Sequence, residues 1–130
     1  MISTDQGHFQ HQQDNRMSSV PELAAVAGSM VRREKYRVGC ADTARASVAR
    51  RVRLGVGSLT NIIKRRVKSV SAEVRDRLVA AAIADLTLEI SRLEHERQLL
   101  LQMGASPAHD DMRALEGALA AAREAIERMR

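Results

Sequence analysis

The sequence predicts an all-α fold: a helix-turn-helix head followed by a long helix and an antiparallel helical hairpin. Three observations predict it. Apolar residues between positions 43 and 66 fall on the faces of two short helices; beyond position 70 they recur at spacings of three and four through two long runs; and aromatics are only 2% of the chain. With Phe9 and Tyr36 the only aromatic residues, the core has to be aliphatic, which suits helices packed on helices.

Residues 1–18 are rich in Gln, His, Asp and Ser without an apolar period, and are expected to form a disordered tail. His8 and His11 lie in it without further ligands nearby and read as solvated side chains rather than a metal site. A first helix is expected from Ser18 or Ser19, with Pro21 in its first turn, through Tyr36. Leu23, Val26, Met30 and Val31 are its packing residues. Gly39 breaks the pattern, and Asp42 or Thr43 is the expected cap of the second helix.

In the next segment Val48, Ala49 and Val52 share one face, Leu54 falls in a bend, and Leu59, Ile62 and Ile63 share the following face. That is the pattern of two short helices crossed at a sharp angle, and the small Ala49 lets their backbones approach. Ser71 is the expected cap of VSAEVRDRLVAAAIADL, whose apolar residues pass into a heptad of Ile83, Leu86, Ile90, Leu93 and Leu100, with Arg97 the polar seam position. The helix is expected to end near Met103, where GASP holds both a stop and a new start signal. Met112, Leu115, Leu119, Ala122, Ile126 and Met129 form a second seam, and the short loop between matching seams predicts an antiparallel hairpin.

Two stripes bury little alone, so the hairpin is expected to join a second copy through Ile83, Leu86, Ile90, Leu93, Leu100, Met112, Leu115, Leu119 and Ile126. The alternative is that it folds back on the head as core. The predicted division is therefore a tail at 1–18, a helix-turn-helix domain at 19–86, and a dimerising helical hairpin at 87–130.

Charge is unevenly placed. Net charge is +5, yet positions 32–77 hold 14 Lys and Arg against 4 Asp and Glu, while positions 78–130 hold 6 against 9. Cations packed this densely attract polyanions through phosphate contacts and counterion release. Duplex DNA is favoured over single strands, which are usually gripped by stacking aromatics. A membrane surface is not expected, because no broad bulky apolar face lies beside the charges. Cys40 is the only cysteine, which excludes an intramolecular disulfide and a cysteine-rich zinc site and fits a reducing cytoplasm. No leading basic-apolar signal is present, and LVAAAIADLTLEI is interrupted by Asp85 and too short to span a bilayer. A cytoplasmic protein without cofactor or metal is expected.

Residues 43–86, roughly a third of the chain, resemble the DNA-binding head of the lactose repressor family. Val48, Ala49, Leu54, Leu59, Ile62 and Ile63 occupy the places of that family's structural apolar residues without a gap, and VSAEVRDRLVAAAIADL resembles its third helix. Two positions depart. Arg53 stands where the family usually has Gly in the turn, and Gly57 where it often has a base-reading side chain. Nothing beyond Leu86 resembles the family's sugar-binding domain, so no inducer pocket is implied.

The resemblance implies that the helix at about 56–64 lies in the major groove. Asn61 is then the leading base reader, since a carboxamide pairs with adenine at two atoms; Val56 suits a thymine methyl, and Ser58 and Thr60 suit base edges or phosphates. Arg45, Arg50, Arg53, Lys64, Arg65, Arg66 and Lys68 are the expected phosphate contacts. The expected function is a sequence-selective, dimeric, double-stranded-DNA-binding transcriptional regulator. Alternatives are an accessory DNA-organising or mobile-element protein, and a protein-interaction module with an acidic partner, the hairpin offering a further protein contact. An enzyme is not expected. His95 and His109, beside Glu94, Glu96, Asp110 and Asp111, read as exposed polar residues and helix caps, and no phosphate loop or nucleophile motif occurs.

Overall fold

The computed structural model describes residues 19–130, and every regular element in that span is a helix: α1 (Val20–Val38), α2 (Ala41–Arg51), α3 (Val56–Ile63), α4 (Ala72–Gln102) and α5 (Asp110–Met129). The all-α expectation holds. The expected tail, with His8 and His11, lies outside the described residues.

Helix ends follow from local chemistry. Ser19 caps α1, accepting the Glu22 N–H at 3.3 Å while its hydroxyl donates to the Glu22 carboxylate at 2.6 Å. At the other end Gly39 takes φ +81°, a left-handed conformation open to glycine without a Cβ clash, and its N–H closes on Lys35 O at 2.7 Å. α2 is capped two or three residues before its expected caps. Cys40, exposed, holds the cap position without a side-chain hydrogen bond, and Asp42 sits inside the first turn, where its charge opposes the helix dipole favourably.

Ser71 caps α4 as expected, its hydroxyl accepting the Val74 N–H at 3.2 Å. No Gly or Pro interrupts that helix before Gly104, at φ +87°, ends it close to the expected Met103. α5 does not begin within GASP. Residues 106–109 form a turn closed by the His109 N–H on Ser106 O at 3.0 Å, and the His109 imidazole then caps α5 by accepting the Asp111 N–H at 3.2 Å.

The chain divides into two compact units between Ala82 and Ile83, about one helical turn before the expected boundary. No loop or composition shift marks that point, because it falls inside the uninterrupted α4. In the first unit α1 packs on α2 and α3, and α2 packs on α3. Leu23, Met30, Val48, Leu59 and Leu78 are completely buried there, with Val52 at 1% exposure. Ala49, at 2%, is as enclosed as a close helix crossing requires. On α1 the expected Val26 and Val31 are only half-buried, and Ala24 and Ala27 are buried instead. Tyr36 is 93% exposed.

One buried charge braces the head. Glu34 of α1, 7% exposed, accepts from Arg37 Nε at 2.6 Å and from the Ser47 hydroxyl of α2 at 2.5 Å, with Arg51 at 3.9 Å. These donors stabilise the carboxylate against its burial and hold its pKa down at about 2.

In the second unit α5 buries all six residues of its predicted seam. Leu93 packs with Leu115 and Leu119, and Ile90 and Leu100 pack against them. Arg97 meets Glu116 at 3.4 Å and Glu94 meets Arg123 at 3.0 Å, so the polar seam position is filled by a cross-hairpin ion pair and the helices run antiparallel. Leu86, Leu93, Met112, Leu115, Leu119 and Ile126 are buried within a single chain, and Ile83, Ile90 and Leu100 are half-buried. Two stripes at matching period on adjacent antiparallel helices face one another. The large apolar side chains exposed on this unit are Leu88, Leu99, Leu101 and Met103. Leu99 and Met103 line an open groove of about 560 Å³ together with Ala114, Ala118, Glu96 and Asp111.

Candidate nucleic-acid interface

Residues 52–55 set the crossing between α2 and α3. Val52 is buried, Leu54 half-buried, and Arg53 takes φ +58°, a left-handed conformation rare for a residue bearing a Cβ. The Leu54 N–H reaches back to Ala49 O at 2.9 Å and the Arg53 N–H to Arg50 O at 3.2 Å, so α2 ends in a Schellman-type reversal built without glycine. The expected departure at Arg53 is thus accommodated with the bend intact. The same device closes α3: Arg65 has φ +58°, and the Arg66 N–H bonds Asn61 O at 2.8 Å.

These two reversals isolate α3 as a short rod with two faces. Leu59 and Ile62 are buried, and Ile63 is half-buried. Gly57, Ser58 and Asn61 are exposed, as is Val56, whose 45% exposure is high for an aliphatic side chain. Thr60 is half-buried, on the flank between these faces. A Cβ added at Gly57 would meet nothing within 4 Å, so no packing inside the chain explains glycine there. The first turn of α3 carries no acidic residue, and its cap, Gly55, offers no side-chain hydrogen bond. That end keeps its positive helix-terminal potential.

Cations flank this rod along the chain. Arg50 and Arg53 precede it, Lys64, Arg65, Arg66 and Lys68 follow it, and all six are exposed without an ion pair to an acid among the described residues. Arg45 differs. It is half-buried and paired with Asp42 one turn back, so the expected phosphate contact there starts from an engaged guanidinium. The sequence alone also missed Glu34. Its contact with Arg37 is legible as a helical i,i+3 pair, but its reach to Ser47 and Arg51 depends on how α1 lies on α2.

No family model, curated protein or solved structure matches the chain. Among the described residues no helix is long and apolar enough to cross a membrane, and no group of three or more His, Cys, Asp or Glu is placed to hold a metal ion.

Proposed function

We propose that the chain is a sequence-selective, double-stranded-DNA-binding transcriptional regulator that reads the major groove with α3. The observation carrying this reading is the exposed, uncharged face of α3 held between two groups of exposed cations. A helix of this width enters the major groove, uncharged hydrogen-bonding side chains suit its floor, and flanking Lys and Arg suit the phosphates at its edges. The resemblance of residues 43–86 to lactose repressor heads supports the same assignment.

An eight-residue helix covers few base pairs, so useful selectivity calls for two copies on inverted half-sites. We infer that the second copy docks at the hairpin groove, which is lined by the exposed Leu99 and Met103 together with small Ala114 and Ala118. Selection of bound sequences from a random duplex pool, with the mass of the complex measured alongside, tests the proposal. A short palindrome bound by two chains supports it. Retention of no duplex at low salt overturns it, and spreading along arbitrary DNA favours a DNA-organising protein instead.

A further inference from the structure

We propose that the reading face of α3 is selective for A·T pairs. The inference rests on the DNA-binding reading above and adds the class of site that the helix accepts.

The commonest specific contact to guanine is a bidentate Arg or Lys on its O6 and N7 atoms, and cytosine is read by a carboxylate accepting from N4. Neither chemistry is present in α3, whose sequence VGSLTNII holds no charged residue. Its exposed groups are the Asn61 carboxamide, the Ser58 hydroxyl and the Val56 isopropyl group. The carboxamide matches the N6 donor and N7 acceptor of adenine, and the isopropyl group matches the C5-methyl of thymine. Serine bonds either kind of pair and leaves the bias unchanged.

Placement strengthens the argument. The nearest cations, Arg53 and Lys64, lie outside the rod, in the left-handed turn before it and at the cap after it. Gly57 lies beside Val56 on the exposed side, with nothing within 4 Å of where its Cβ would be. Bare backbone there allows α3 to sit close to the groove floor, which a short carboxamide needs in order to reach a base edge. Val56 has no intramolecular cover for 45% of its surface, and a thymine methyl would supply it.

The test is selection from a random duplex pool with the full chain and with Asn61→Ala, Asn61→Arg and Val56→Ala, each checked for unchanged helicity. Positions read by α3 are those whose base preference changes on replacing Asn61 or Val56. In the unsubstituted protein those positions should be enriched in A·T. Asn61→Ala should lower discrimination at its position roughly tenfold to a hundredfold. Asn61→Arg should convert that position from adenine to guanine, and Val56→Ala should weaken a thymine preference. Enrichment of G·C at those positions, or persistence of adenine with Asn61→Arg, overturns the inference while leaving DNA binding in place. If no duplex is retained at low salt, both readings fail together.

Discussion

Replacing Arg53 by glycine should make the protein more stable and a weaker DNA binder at once. At φ +58° the Arg53 Cβ crowds the backbone, a conformation that costs an L-residue about 1–2 kcal/mol. Glycine removes that penalty but brings back roughly 0.5–1 kcal/mol of unfolded-chain entropy. The net gain lies between about 0 and 1.5 kcal/mol, with a mid-range value of about 0.75 kcal/mol that raises the melting temperature by about 3–6 °C for a unit of this size. No hydrogen bond is lost, because the turn is closed by backbone N–H groups of Arg53 and Leu54. Binding should move the other way: if Arg53 holds a phosphate as proposed, its removal reduces the slope of log affinity against log salt by about 0.9. Arg53→Ala provides the control, since it deletes the same charge and keeps the Cβ. Helix ellipticity during thermal melting and a salt titration on one duplex give both numbers. Should glycine melt no higher than alanine, the left-handed turn stores no strain and the reasoning is refuted.

Asn61→Ala should relax preference at one or two base pairs, costing about 1–3 kcal/mol on the preferred site, and competition with point-mutated duplexes measures it. Lys64→Ala and Arg66→Ala should weaken every duplex alike and flatten the salt slope by about 1 each; an unchanged slope removes them from the phosphate set. Glu34 has a folded pKa of about 2 against an ordinary value of 4.5, so its contribution is complete above pH 4.5 and is lost as pH falls toward 2. Acid denaturation should therefore set in across that window, and Glu34→Gln should remove up to about 3 kcal/mol of the pH dependence. Leu119→Ala, at a fully buried position, should destabilise the hairpin by about 2–5 kcal/mol in chemical denaturation.

Periodicity made the helices legible. Where an apolar stripe has one partner within reach, as on α5, the sequence identified all six buried positions. The head was legible for a different reason: Ala49, Leu59 and Ile62 must be small or apolar for two short helices to cross, and nothing else satisfies their spacing. Partnership was harder. The hairpin seams were expected to meet a second chain, but spacing specifies a face and not which surface covers it, and the nearest face was the other arm of the same hairpin. Charges divided along the same line. Asp42 lies three residues before Arg45, so that helical pair is legible in the sequence and sets Arg45 apart from the exposed Arg50, whereas the reach of Glu34 to Ser47 and Arg51 follows only from the packing of α1 on α2.

Tyr36 has a practical bearing on work with this protein. The chain has no tryptophan, and its one tyrosine stands 93% in water already in the native fold, between Lys35 and Arg37. Denaturation moves that phenol from solvent to solvent, so its ultraviolet emission is a poor gauge of unfolding. The same isolation makes it a built-in, label-free optical reporter for whatever settles on the end of α1. Quenching without loss of ellipticity would signal a docked partner rather than a melted domain.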